Sequence, residues 1–267
     1  MKACVLEKVG QLVYRDVPAP TLKENEVLLQ VRACGICSSD IDRVFKTGTY
    51  HFPCIPGHEF SGEIVEVGNG VDCAYLHRRA TVFPLLPCFH CAACEAGAYA
   101  RCEKYNYFGS RCDGAFAEYV AVPVWNLVPF SEEIPYTTAA LCEPASVALH
   151  ALSAAAMTPH STVAIVGCGT IGLLAAMWAR VRGAQRIVVV GRGKANVEFA
   201  RSLGFFDAVS GLETDAEAYV KELSNGAGAD VVLEAVGSTE AISTALRLAK
   251  KGGQVILTGN PKGDIHM

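Results

Sequence analysis

The sequence predicts an α/β chain in which a mostly antiparallel β domain precedes a doubly wound parallel sheet. Three observations carry this. Up to about residue 150, short alternating apolar segments are punctuated by proline and glycine. From about residue 160 the pattern becomes strand, glycine turn, helix, repeated. Between the first strand and the first helix of that second half stands Gly167-Cys168-Gly169-Thr170-Ile171-Gly172.

Taken in order, residues 3–5, 12–14, 26–33 and 63–67 read as strands, separated by breakers such as Pro18, Pro20, Pro53, Gly57 and Gly68. The alanine-rich stretch 135–156 reads as a helical bridge between a domain of residues 1–150 and one of residues 151–267. Residues 162–166 form a continuous apolar β run, 171–181 a helix, 187–190 a second strand and 195–203 a second helix. Residues 208–209, 230–233 and 254–257 supply three further strands. There is no internal repeat and no low-complexity tract.

With 267 residues, 51% hydrophobic and 19% charged, the chain can build real cores, which excludes disorder. A net charge of -4 gives no electrostatic footprint for nucleic acid or an anionic membrane. Glu7 falls where an export signal would need its apolar core, and the apolar windows are too short to span a bilayer. These features predict a soluble cytoplasmic protein. Twelve cysteines in such a chain point to reduced thiols and metal ligation instead of a disulfide framework.

Four of them are grouped. Cys88, Cys91 and Cys94 recur every third residue, and Cys102 follows on the same loop. That spacing lets four thiolates reach one ion, and a closed tetrahedron of sulfur is the preference of structural Zn²⁺. His90 inside the cluster reads as a solvated loop residue, and the acidic balance argues against a nucleic-acid zinc finger. Cys37 and His58, by contrast, carry no signal singly, since a lone cysteine is most often a small buried hydrophobe.

The glycine motif lies between a strand and a helix, where Gly167, Gly169 and Gly172 permit a tight turn. The backbone of Thr170 and Ile171 then opens a helix N-terminus to a pyrophosphate. After the second strand an NAD site places an acid on the ribose 2′-hydroxyl, but here stands Gly191-Arg192-Gly193-Lys194. A glycine makes room, Arg192 can bind a 2′-phosphate and Lys194 adds charge, so NADP is favoured over NAD.

The ordered series of Cys37-x-Ser39-Asp40, Gly57-His58-Glu59-x-x-Gly62, the four-cysteine loop, residues 113–119, Glu143-Pro144 and the glycine turn resembles the zinc-containing medium-chain dehydrogenase/reductase family. The resemblance runs from Met1 to about Pro261, and Glu143 followed by His150 resembles its polyol branch. It implies a GroES-like catalytic domain, a Rossmann domain, two Zn²⁺ per chain and NAD(P). Cys37 and His58 would bind the catalytic zinc, with Glu143 as third ligand or holding its water, and Glu59 able to enter when water leaves. Ser39 would meet the substrate hydroxyl, and Asp40 would orient His58. The implied reaction is hydride transfer from a secondary alcohol of a polyol or polyol phosphate, in a homo-dimer or homo-tetramer.

A phosphorylated substrate would need a cation near the zinc, for which Arg43, Lys46 and Arg111 are the candidates. Two departures stand out. Family members turn with Pro-Gly-Asp where residues 75–80 here hold no glycine, which predicts a strained or reshaped connection. Family chains also continue past this one, which predicts a Rossmann domain incomplete at its C-terminal end with an open sheet edge, or an inactive remnant.

Overall fold

The computed structural model describes residues 1–261 and Asp264; Lys262, Gly263, Ile265, His266 and Met267, the end of the chain as read above, lie outside the described residues. The chain divides into two compact units, Met1–Glu143 and Pro144–Met267.

In the first unit, β1 (Lys2–Lys8) and β2 (Gln11–Asp16) form an antiparallel hairpin. The chain continues through β3 (Glu26–Gly35), the short helix α1 (Ser38–Asp42), β4 (Glu59–Val67) and β5 (Arg79–Val82). After β6 (Leu85–Leu86) come α2 (Ala92–Glu95) and β7 (Asn106–Tyr107). The unit is completed by β8 (Tyr119–Pro123), β9 (Leu127–Pro129) and α3 (Tyr136–Ala140). The main sheet is antiparallel throughout, in the order β8-β3-β4-β5-β9. Val27, Leu29, Phe60, Ile64, Val82 and Val122 form its core, with Phe60 edge-on to Phe108 at 5.7 Å.

The bridge expected over 135–156 is two helices, α3 and α4 (Cys142–Ser153), broken at Leu141. Pro144 is the reason. In a continuous helix its nitrogen would bond the Ala140 carbonyl, but proline has no N–H and its ring crowds that oxygen. In the first turn of a new helix the missing donor costs nothing.

In the connection that lacks a glycine, His77 takes the left-handed conformation, φ 64°, and donates its N–H to the Ile64 carbonyl at 2.8 Å. A side chain there costs about 1 kcal/mol relative to glycine. His77 Nδ1 lies 3.3 Å from Glu63 Oε1, but that pair is exposed and offsets little. His77→Gly is therefore expected to raise the midpoint of urea unfolding by an amount equivalent to roughly 0.5–1 kcal/mol at unchanged slope. A lower midpoint would show that the turn is not strained.

In the second unit a five-stranded parallel sheet has the order β12 (Ala208–Ser210), β11 (Arg186–Gly191), β10 (Thr162–Val166), β13 (Ala229–Glu234), β14 (Ala249–Leu257). Central β10 is apolar on both faces because both are covered. Val163 and Ile165 pack with Leu173, Ala176, Val197 and Ala200 of α5 (Thr170–Val181) and α6 (Lys194–Ser202). Ala164 and Val166 pack with Val220, Ala241 and Ala245 of α7 (Ala216–Leu223) and α8 (Thr239–Leu248). The chain winds outward from β10 to β12, then returns to lay β13 beside β10. This makes the carboxyl ends of those two strands the switch point where doubly wound sheets bind ligands. Among the described residues, no helix is long and apolar enough to cross a membrane.

Candidate active site

Three of the sequence candidates converge. Single ligand atoms of Cys37, His58 and Glu59 all lie within 4.8 Å of one another. Cys37 stands at the N-cap of α1, where the N–H and the hydroxyl of Ser39 donate to its sulfur at 3.5 and 3.3 Å. Asp40 closes the turn by accepting the Cys37 N–H at 3.0 Å through Oδ2. Its other oxygen, Oδ1, lies 3.3 Å from Nδ1 of buried His58, a close ion-pair distance without aligned hydrogen-bond geometry. One carboxylate thus touches both the backbone of Cys37 and the ring of His58. Burial pulls the His58 pKa down, but the Asp40 carboxylate and the Cys37 sulfur beside it prevail and raise it to about 10.

Glycines make the room. His58 and Glu59 follow Gly57, whose φ of 98° and contact with Phe116 leave no space for a Cβ. A Cβ at Gly109 or Gly114 would collide with the Gly57 backbone, so these segments close on one another and aim His58 inward. A Cβ at Gly35 would strike Glu59 Oε2, so the carboxylate occupies the space of that missing side chain. Glu59 is buried, and burial outweighs the attraction of His58 to raise its pKa. Cys34, next to the site, is driven to about 12 by burial and by Asp40 and Glu59, so it remains a thiol while Cys37 faces the donors.

Glu143 stands outside the group of three. Its Oε1 accepts the hydroxyl of Tyr107 at 3.3 Å, and the Tyr107 ring leans on His58 at 5.7 Å, tilted 60°. Burial raises the Glu143 pKa, although the His58 charge opposes it. Tyr107 was not among the sequence candidates, because no spacing rule marks a tyrosine between two ligand-type residues.

The sulfurs of Cys88, Cys91, Cys94 and Cys102 also fall within 4.8 Å of one another. Cys91 Sγ is 3.6 Å and Cys88 Sγ 4.0 Å from Cys94 Sγ, and the Cys88 N–H donates to Cys102 at 3.2 Å. A backbone hydrogen bond at Glu103 pulls Cys91 down to about 6, whereas burial pushes Cys94 up to about 12. Four sulfurs this close cannot all carry charge without a cation among them, which is the chemistry of a closed thiolate zinc site.

In the second unit, Gly167 has a φ of 121° and Gly169 caps α5 without any side-chain hydrogen bond. A Cβ at Gly172 would collide with the Gly167 carbonyl, whereas one at Gly169 would meet nothing within 4 Å. Gly172 therefore lets the helix close on the turn, and Gly169 leaves the first amides, beside Thr170 and Ile171, open to an anion. Fully buried Glu234 accepts the N–H groups of Val236 and Gly237 at 2.6 and 2.8 Å, fixing the turn whose Val236 packs over Gly167.

Family models described as an alcohol dehydrogenase GroES-like domain and a zinc-binding dehydrogenase match residues 23–132 and 170–267. Galactitol 1-phosphate 5-dehydrogenase of Escherichia coli K12 is 34% identical over 268 residues, covering 100% of this chain and 78% of that protein. The chain belongs to the zinc-binding alcohol dehydrogenase family. Sorbitol dehydrogenase of Bacillus subtilis is 34% identical, with 98% and 75% covered. The crystal structure of galactitol-1-phosphate dehydrogenase from Escherichia coli matches with a TM-score of 0.92 at 34% identity, covering 100% of this chain and 78% of that one. A zinc-binding dehydrogenase of Sinorhizobium meliloti bound to NADP matches with a TM-score of 0.93 at 33% identity, covering 100% and 79%.

At Gly191 the structure differs from the room for a 2′-phosphate that the sequence predicts. A Cβ at Gly191 would collide with Cys168 Sγ, so the missing side chain accommodates Cys168 and does not by itself leave room for a 2′-phosphate. Arg192 is exposed, while Lys194 is paired with Glu213 at 3.0 Å. Arg192 and the missing acid are the features of this turn that favour NADP.

Proposed function

We propose that this dehydrogenase reversibly oxidises a secondary alcohol of a polyol or polyol phosphate. NADP⁺ would supply the hydride acceptor, one zinc would be held at the Cys37 site and a second by the cysteine loop. The convergence of Cys37, His58 and Glu59 within 4.8 Å carries this reading. Mixed sulfur, nitrogen and oxygen donors suit a catalytic ion with an open position, whereas four cysteines suit a closed one. When bound, zinc supplies Lewis acidity toward a substrate hydroxyl and the nicotinamide a hydride acceptor.

The protein's residues do the rest. Cys37 and His58 hold the ion with Glu59, and Glu143 waits beside them on the Tyr107 hydroxyl to take up a ligand or water-holding role. Asp40 keeps the proton of His58 on Nδ1, which leaves Nε2 for the metal. Ser39 Oγ lies 3.3 Å from Cys37 Sγ, where it can accept a hydrogen bond from a substrate hydroxyl and orient it. Gly167, Gly169 and Gly172 with Thr170 and Ile171 cradle the pyrophosphate, and Arg192 meets the 2′-phosphate. Homo-dimerisation or homo-tetramerisation, and a cytoplasmic setting that keeps twelve cysteines reduced, complete the proposal.

Purified protein should hold two zinc ions and reduce NADP⁺ with galactitol 1-phosphate or sorbitol. A chain that holds zinc only in the cysteine loop and turns over neither substrate would be a binding remnant. Arg192→Ala is expected to raise the KM for NADP⁺ roughly tenfold or more while leaving that for NAD⁺ little changed, the value of one charge-assisted contact. An equal effect on both cofactors would remove Arg192 from the 2′-phosphate.

A further inference from the structure

Of the three cations that could meet an anionic substrate, two are engaged elsewhere. Lys46 Nζ is paired with Asp42 at 2.8 Å on an exposed turn of helix. The Arg111 guanidinium is sandwiched between Tyr50 and Tyr105, at 3.9 and 4.4 Å from their ring centres. Arg43 differs. Its side chain is 24% exposed, its Nη1 donates to Ser39 Oγ at 2.7 Å, and the same atom lies 3.8 Å from Asp40 Oδ1.

A short relay therefore leads out of the candidate metal donors. Cys37 Sγ accepts from Ser39 at 3.3 Å, and Ser39 Oγ accepts from Arg43 at 2.7 Å. The guanidinium is one hydroxyl away from the sulfur that would hold the catalytic ion. Its charge is also felt by Tyr107 and Cys54, whose pKa values it lowers against the larger effect of burial. Around it the donor set is otherwise acidic: Asp40, Glu59 and Glu143 all flank His58.

A guanidinium carries five N–H donors in a rigid fork that matches phosphate, and Ser39 uses one. Fixing Ser39 would take only a neutral donor, and Asp40 at 3.8 Å engages the same nitrogen, Nη1, leaving the other N–H groups of the fork. A charged fork held at the edge of a mostly anionic site does more: it offsets the charge that would repel a phosphorylated substrate.

We propose that Arg43 is the specificity-determining residue of this site, selecting a polyol that bears a phosphate monoester over the same polyol without it. The inference rests on the polyol dehydrogenase reading above. Arg43 binds the phosphate through its remaining N–H groups while Nη1 keeps Ser39 oriented toward the reacting hydroxyl.

The test uses the zinc-loaded protein with galactitol 1-phosphate and galactitol as paired substrates, comparing the parent with Arg43→Gln and Arg43→Lys. Glutamine keeps a donor for Ser39 without charge, and lysine keeps charge without the fork. The parent should prefer the phosphorylated substrate. In Arg43→Gln the ratio of the two kcat/KM values should fall roughly tenfold to hundredfold, the worth of hydrogen bonds to a charged group. Competitive inhibition by inorganic phosphate should weaken in parallel, and Arg43→Lys should lie between. Equal losses on both substrates would reduce Arg43 to a clamp on Ser39 and overturn the proposal, as would a parent that prefers galactitol.

A binding arm separates this outcome from failure of the parent reading. If the parent turns over neither substrate, the polyol reading fails, and the thermal shift of the parent by galactitol 1-phosphate still decides on Arg43. A shift lost in Arg43→Gln supports the assignment, and a shift unchanged or absent overturns it.

Discussion

Cys37→Ser should leave a folded protein with one zinc in place of two and a kcat/KM roughly a thousandfold below that of the parent. Serine is the sharpest probe of this position because Cys37 is the N-cap of α1. Serine is among the best N-caps, so the helix start survives and the substitution isolates the ligand. What is lost is a thiolate, since a hydroxyl does not ionise near neutral pH and binds zinc poorly. Without the ion, a substrate hydroxyl keeps its high pKa, and forfeiting roughly 4 kcal/mol of charge stabilisation corresponds to about three powers of ten in rate. Zinc by atomic emission, the melting temperature and NADPH formation measured on one preparation separate the possibilities. A variant with one zinc, a parental melting temperature and lost turnover supports the donor set. Two zincs and undiminished turnover would place the catalytic metal elsewhere.

The parts legible in the sequence were those written as spacing. The thiolate loop is a local pattern of four sulfurs on fifteen residues, and the structure closes it on itself. The glycine turn is likewise local, and the apolar run of β10 announces a strand covered on both faces. Cys37 and His58 are brought together by pairing of β3 with β4, which sets Gly35 opposite Glu59. No local rule contains that register, so their association came from family order alone.

Where expectations were incomplete, a side chain acted across the fold. Gly191 was read as space for a phosphate, but that space belongs to Cys168 on the neighbouring turn. Family order implies Glu143 as third ligand or holder of the zinc-bound water, with Glu59 able to enter; Glu59 is the carboxylate grouped with Cys37 and His58, and Glu143 stands beside them on the Tyr107 hydroxyl. The missing glycine near residue 77 predicts a strained or reshaped connection, and the strain falls on one residue, His77, in the left-handed conformation.

Cys94→Ala should remove the other zinc and open the loop around it. The loop has little else to hold it: α2 spans four residues, and a helix that short has no stability of its own in water. Cys94, buried like Cys102, has the sulfur that approaches both Cys88 and Cys91, so its loss leaves three donors around a gap. The loop also carries its own reporter. Phe89 and Tyr99 meet Trp125 edge-on, at 4.9 and 5.1 Å between ring centres. The other tryptophan, Trp178, is anchored in the second unit by its Nε1–H on the Ala145 carbonyl at 2.9 Å. Trp125 is already 44% exposed, and opening the loop strips these two ring contacts from it alone, so its emission should change while a Trp125→Phe background shows no change. The melting temperature is expected to fall on the order of 10 °C, because binding energy of a structural zinc is folding energy. The catalytic zinc should remain, since none of its donors lies on this loop. A Cys94→Ala protein that keeps two zincs and parental emission would mean that the four cysteines do not hold an ion, and that packing against Trp125 is enough to order the loop.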